Sequence, residues 1–249
     1  MKKTRADISA PETVTAEARP TRRRFLSAAT AGVAGAATLG FPMISKAQAP
    51  IKLRCQAGWP TKDAFYEFSQ IFVKKISDMT AGKLVFELLP AGSVVKPFDM
   101  LDAVHSGTLD SAHGACGYWY GKNTAYSLFG TGPAIGMDAQ MLLGWVEQGG
   151  GQALYDELVG KILKYNVKGF LNVPMWNQPL GWFKKEVKTA ADFKGLKYRT
   201  IGLAVDLYKE MGASVVMLPS AEIVPALERG LIDAAEFNNP TSDRPLGFD

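Results

Sequence analysis

"ERGLIDAAEFNNP", residues 228–240, is an apolar run that stops on a carboxylate, Glu236, followed by an aromatic and two amides. A second stretch, "VHSGTLDSAHGAC" at residues 104–116, has the same layout. Placing Gly107 on Gly230 also brings Ala103 onto Ala226, Leu109 onto Ile232, Asp110 onto Asp233 and Ala112 onto Ala235. One helix–turn–strand unit has been built twice, and only the second copy puts Glu after its strand.

Working outward, each copy closes a longer alternation of strands and helices. In the first half, "IKLRCQ" (51–56) alternates like a strand, and "GWPTKD" is a turn in which Thr61 is expected to cap a helix. That helix carries an i, i+3, i+4 stripe of Phe65, Phe68, Ile71, Phe72, Ile76 and Met79. A strand at 84–89, a helix over 98–106 and the strand "LDSAHG" complete β-α-β-α-β, the signature of a parallel sheet. Residues 118–137 have no clear period, and helices are expected at 138–148 and 151–165. The second half offers strands in "VKGFLNVP", "GWFKKEV", "LKYRTI" and "SVVML", a small capped helix in "TAADFKG", and helices at 203–211 and 220–229. The expected fold is α/β, with two similar lobes and a crossover near 117–175. A cleft between them would be lined by the carboxyl ends of their strands. His113 to Cys116 and Glu236 to Asn239 are corresponding strand ends, so both are expected to face it.

The formal charge of +4 is local in origin. Residues 1–49 hold eight of the 28 basic residues and three of the 24 acidic ones, leaving 20 against 21 in the remainder. A near-neutral body removes the main support for a nucleic-acid partner. The first segment has the order of an export leader: "TRRRFL" (21–26), an uncharged Ala/Gly-rich stretch to Ser45, then "SKAQA". It resembles a twin-arginine signal, with cleavage after Ala47 or Ala49. The uncharged run is about long enough to span a bilayer, but its Ala/Gly content and Pro42 favour a leader.

Cys55 and Cys116 are the two cysteines, and their spacing does not state whether they pair. No C-x-x-C or paired His/Cys spacing points to zinc. Gly-x-Ser-x-Gly is absent, and "GTGPAIG" (130–136) lacks the Lys of a phosphate loop. His113 and Glu236 are what remain for an enzyme acting on a small carboxylate. Arg199, at the end of "LKYR", offers a rigid fork of donors matched to a carboxylate. The residues alone leave open whether it clamps a ligand or pairs with a nearby acid on the surface.

From Ile51 onward the chain resembles the solute-binding proteins of tripartite ATP-independent periplasmic (TRAP) transporters, the DctP-type family. The stretches carrying the resemblance are "FKGLKYR" (193–199), "PALERGLIDAAEF" (225–237), "YWYGK" (118–122) and "NQPLGWF" (177–183). It implies a two-lobed periplasmic-binding-protein fold of type II: an export signal over 1–49, lobe one with the crossover over 50–172, and lobe two over 173–249. Relatives continue past "PLGFD", so lobe two is expected to be incomplete. The implied function is non-enzymatic: capture of a small organic anion by lobe closure in the periplasm, and delivery to integral-membrane permease subunits. A homodimer and a ligand-sensing role beside a membrane receptor stay open. The nearest branch binds 2-oxo and 2-hydroxy acids. There, Arg199 would clamp the carboxylate, and Gln178, Glu236 and the Phe237 carbonyl would hold Na⁺ or Ca²⁺ bridging the ligand. Trp59, Tyr118, Trp182, Phe237 and Asn238 would line the site. Relatives have Trp where Phe237 stands, and "NNPTSDRP" (238–245) departs from their usual continuation.

Overall fold

A computed structural model describes residues 49–130, 136–173, 175 and 178–249. All but the last residue of the expected leader (1–49), most of "GTGPAIG" and parts of "VKGFLNVP" and "WNQP" lie outside the described residues. The described residues belong to one compact unit, within which two sheets define the lobes.

Lobe one contains β1 (Ile51–Ala57), α1 (Ala64–Met79), β2 (Leu84–Leu89), α2 (Met100–His105) and β3 (Ser111–His113). Its sheet has the order β2-β1-β3 and both pairings are parallel. Lobe two contains β4 (Trp182–Phe183), β5 (Lys197–Arg199), α5 (Ala204–Glu210), β6 (Ser214–Val216), α6 (Ser220–Glu228), β7 (Ala234–Ala235) and α7 (Pro240–Asp243). Its order is β4-β7-β5-β6, parallel except where β4 meets β7. Between the lobes lie short 3₁₀ turns, α3 (Ala139–Gln148) and α4 (Gly151–Asp156), which runs into a π-helical turn at Glu157–Ile162.

The internal repeat holds at the level of single hydrogen bonds. The Asp110 N–H donates to the Arg54 carbonyl while its carboxylate accepts from the Arg54 N–H at 2.7 Å. Asp233 makes the same two bonds with Lys197, the carboxylate accepting at 3.2 Å. Gly107 and Gly230 turn their chains with φ of 78° and 71°, a region that glycine enters without a Cβ penalty. β3 then pairs at Gln56↔Ala112, and β7 at Arg199↔Ala235.

Several sequence expectations need correction. The cap of α1 is Asp63, whose carboxylate accepts from the Phe65 N–H at 2.8 Å, and not Thr61. A charged acceptor aimed at an unpaired first-turn N–H outdoes a hydroxyl two residues earlier. The α1 stripe is only partly covered: Phe65 is buried, whereas Phe72 is 52% and Met79 82% exposed. "VKGFLNVP" forms no strand among its described residues, and "GWFKKEV" shrinks to the two-residue β4. Val167, Leu171, Val173 and Trp182 pack on the main core and Phe183 and Val187 on the smaller one, while Phe170 is exposed, so burial of these side chains does not require a long strand. Cys55 and Cys116 are buried, unpaired thiols.

One large core runs from Ala57 and Trp59 in lobe one to Phe237 and Phe248 in lobe two. A smaller one, Phe193, Tyr198, Ala213 and Ala234, sits under the lobe-two sheet. The lobes also meet through the Ser220 hydroxyl, which donates to the Gly58 carbonyl at 3.3 Å, and through the Tyr120 hydroxyl, which donates to Asp206.

Candidate functional site

Arg199 ends the central strand of lobe two and is wholly buried. Its Nε donates to the Leu218 carbonyl beyond β6 at 2.9 Å, and its Nη1 donates to the Glu236 carbonyl beyond β7. The guanidinium is therefore fixed to both neighbouring strand ends. The Phe237 ring lies 5.9 Å from its Cζ and walls one side. Nη2 is buried and has no hydrogen-bond partner among the described residues. A buried charged donor left unmatched costs roughly 1–3 kcal/mol or more, so this atom is built to receive an acceptor from elsewhere.

Glu236 follows β7, and its side chain is 13% exposed. Its Oε2 accepts from the Thr200 hydroxyl at 3.0 Å and lies 3.5 Å from Arg199 Nη1. Burial raises the Glu236 pKa, Arg199 and Thr200 oppose that rise, and Asp243 adds to it. The Asn238 side chain accepts from the Asn239 amide at 3.0 Å. Gln178 is exposed, and its Nε2 donates to the Phe237 carbonyl at 2.7 Å. That bond brings an amide, a backbone carbonyl and the Glu236 carboxylate to one end of β7. The oxygens these groups carry, Gln178 Oε1, the Phe237 carbonyl and the Glu236 carboxylate, bring one formal charge and suit a hard cation such as Na⁺ or Ca²⁺ rather than a soft metal.

β4 reaches this place because residue 181 is glycine. A Cβ there would stand 2.7 Å from the Ala235 carbonyl, and φ is 137°. The close approach puts Trp182 opposite Ala235, next to Glu236. The Trp182 indole donates to Asp243 at 2.9 Å, and the Asn238 N–H donates to the same carboxylate at 3.3 Å. Asp243 is buried and organises the turn after Glu236. Asn238 is buried with it, and Phe237 stacks on Phe248, with ring centroids 5.9 Å apart.

Lobe one supplies Trp59 and Tyr118, whose rings lie 5.9 Å apart. The Trp59 indole donates to His113 Nδ1 at 3.0 Å, so neither tryptophan keeps a free donor. The Tyr118 hydroxyl is buried with no partner of hydrogen-bonding geometry among the described residues, although Ser220 of lobe two approaches it. Burial pushes the Tyr118 phenol up to about 12, with Arg199 opposing and Asp63 adding to the rise. His113 Nδ1 also lies 2.7 Å from Ser69 Oγ, and burial lowers the His113 pKa. None of these bonds joins His113 to Glu236, so the acid–base pairing has no hydrogen-bonded geometry here.

A surface recess of about 430 Å³ is lined by Lys197, Val216, Glu222 and Arg229 in lobe two. The chemistry lies elsewhere, in the buried groups between the lobes. Sequence reasoning missed Thr200, Asp243 and Asp63 in that region. Asp63 had a signal, an acid two residues ahead of Phe65, the first residue of the apolar stripe. Asp243 had none beyond its place in "NNPTSDRP".

Residues 56–247 match the model of the bacterial extracellular solute-binding protein family 7, DctP. The chain belongs to this family. It is 35% identical over 198 residues to the monocarboxylate 2-oxoacid-binding periplasmic protein of Nostoc sp., covering 80% of this chain and 53% of that protein. Among solved structures it is similar to a TRAP transporter solute-binding protein of Bordetella bronchiseptica, a mixed-occupancy dimer with copurified calcium and picolinate. That likeness has 33% identity and a TM-score of 0.76, over 81% of this chain and 59% of that one. A TRAP periplasmic solute-binding protein of Pseudoalteromonas atlantica with bound sodium and pyruvate gives 33% identity and a TM-score of 0.73, over 80% and 60%. The chain thus spans a little over half the length of these relatives. The two-lobed α/β fold is the one the family uses.

Proposed function

We propose that this protein captures a small organic acid in the periplasm and delivers it to integral-membrane TRAP permease subunits, without catalysing a reaction. The observation that carries this reading is Arg199 Nη2, a buried charged donor on a guanidinium fixed at its other nitrogens. A carboxylate is the acceptor that matches such a fork. Pyruvate and picolinate in the similar solved structures are acids of this class, and the Nostoc relative binds 2-oxo acids.

Glu236, Gln178 through its Oε1, and the Phe237 carbonyl would hold Na⁺ or Ca²⁺ beside the ligand. The cation would reverse the local sign that the Glu236 carboxylate presents to an anion. Trp59, Tyr118, Phe237 and Asn238 would enclose the bound acid. Lobe closure would be favoured only by a ligand touching both sides. The leader at 1–49 would direct export through the twin-arginine route, and a homodimer is a further expected assembly.

Titration calorimetry with lactate and pyruvate tests the reading. Arg199→Ala is expected to weaken binding at least a hundredfold, while Glu236→Gln makes the remaining affinity insensitive to chelator and sodium removal. Unchanged affinity in Arg199→Ala would remove the clamp from the reading.

A further inference from the structure

Three buried polar atoms around the interlobe region lack partners among the described residues: Arg199 Nη2, the Tyr118 hydroxyl and Asp63 Oδ2. The first two are donors, and the third is an acceptor. Asp63 is 1% exposed, and only its Oδ1 is used, capping the 16-residue α1 through the Phe65 N–H. It lies within electrostatic reach of Tyr118 in its own lobe and of Asp243 in the other. Asp243 cannot serve as its partner: both its oxygens already accept, from Ser242, Trp182 and Asn238. Among the described residues, the other polar groups acting on Tyr118 are Arg199 and Ser220, and Ser220, which approaches the Tyr118 hydroxyl, donates to Gly58. A carboxylate oxygen has therefore been kept buried and unmatched at the same interface as the unmatched arginine.

We infer that Asp63 is the hydrogen-bond acceptor that lobe one contributes to the ligand site, and that the protein selects organic acids bearing a hydroxyl over their 2-oxo counterparts. This rests on the organic-acid reading of the Arg199 site. A hydroxyl can donate to Asp63 Oδ2 and still accept from Tyr118, whereas a ketone can only accept. Burying a ketone against Asp63 leaves the carboxylate unpaired, and sites built around a ligand O–H reject analogues that lack it.

The test is calorimetry on the 249-residue chain at pH 8 with calcium present, using the pairs lactate/pyruvate and 2-hydroxybutyrate/2-oxobutyrate. The wild type is expected to favour each hydroxy acid at least tenfold. Asp63→Asn keeps a capping oxygen for Phe65 and replaces the acceptor-only carboxylate by an amide that can donate, so the ratio is expected to fall below about threefold. Thermal melting of the variant checks that the cap persists. A ratio that Asp63→Asn leaves unchanged, or a wild type that favours the 2-oxo acids, overturns the inference even if Arg199→Ala abolishes binding. If no acid of either series binds, the organic-acid reading falls and takes the inference with it.

Discussion

Gln56 and Arg199 occupy equivalent places in the two lobes, each wholly buried in the last two residues of a central strand and opposite an alanine of the repeated unit. Each also holds the loop that follows the neighbouring strand. Gln56 donates to the Val95 carbonyl at 2.8 Å and accepts from the N–H groups of Val94 and Val95 at 2.8 and 3.1 Å. Arg199 donates to Leu218 at 2.9 Å. The difference lies in what is left over. Gln56 is neutral, and both ends of its amide are in use. Arg199 is charged and keeps a nitrogen in reserve. One position further on, lobe one has His113, bonded to Trp59, and lobe two has Glu236, bonded to Thr200. The same scaffold has been completed in one copy and left incomplete in the other. The incomplete copy is where a ligand has work to do.

The sharpest way to break that comparison is to make the copies alike. Arg199→Gln should remove ligand binding and leave Glu236 as a buried carboxylate without its cation. Such uncompensated charges cost about 3–5 kcal/mol. Gln56→Leu should cost about 1–3 kcal/mol, because Val94 and Val95 lie near water and can be rehydrated. It should leave ligand affinity within a few-fold of wild type. Urea denaturation and calorimetry on both variants check the contrast, and a large affinity loss in Gln56→Leu would contradict the division of labour.

A second test concerns the carboxylate in lobe one. Burial raises the Asp63 pKa from 3.8 to about 6, with the Phe65 N–H opposing and Asp243 adding to the rise. The folded protein therefore holds this proton more tightly than the unfolded chain. Stability from the group is fully present below pH 3.8 and is lost as pH climbs through about 6. The whole loss amounts to about 3 kcal/mol. In ligand-free protein, Asp63→Asn should therefore melt higher relative to wild type as pH rises from 4 to 6.5, with the gap constant above that. A gap independent of pH would show that Asp63 ionises freely in the fold.

Much of the scaffold was legible because it is written in local patterns. Gly107 and Gly230, with Asp110 and Asp233 three residues later, marked the repeated unit, and the candidate site lies at a strand end they specify. Arg199, Glu236, Gln178 and Phe237 were named from sequence and do come together. What sequence could not supply was the use to which each donor is put. Nothing in "GWP" says that the Trp59 indole is consumed by His113, which lies 54 residues away in the chain. Nothing in "LGWF" says that Trp182 serves Asp243. Such pairings depend on tertiary approach and not on periodicity. The strand expected in "VKGFLNVP" failed for the same reason, since apolar alternation satisfies a packed coil as well as a sheet edge.

The smallest effect tests the repeat itself. Asp110 and Asp233 each receive the N–H of the residue two places before the buried polar residue of the strand, Arg54 for Gln56 and Lys197 for Arg199. Each also returns its own N–H to the same residue. Asp→Ala removes only the side-chain half of this clasp, and the freed N–H can turn to water because both bonds are exposed. A loss of about 0.5–1.5 kcal/mol is expected for each. The lobe-one bond is shorter, at 2.7 Å against 3.2 Å, so Asp110→Ala should cost the more. The two strands lead to different ends, however. Slackening Lys197 moves the register that sets Arg199, whereas slackening Arg54 moves a residue that touches no ligand in the proposed site. Asp233→Ala should thus weaken ligand binding several-fold and Asp110→Ala hardly at all, with the order in stability reversed. Equal effects on binding would mean that the scaffold transmits nothing to the arginine, and that the site's precision is set by Leu218 and Glu236 alone.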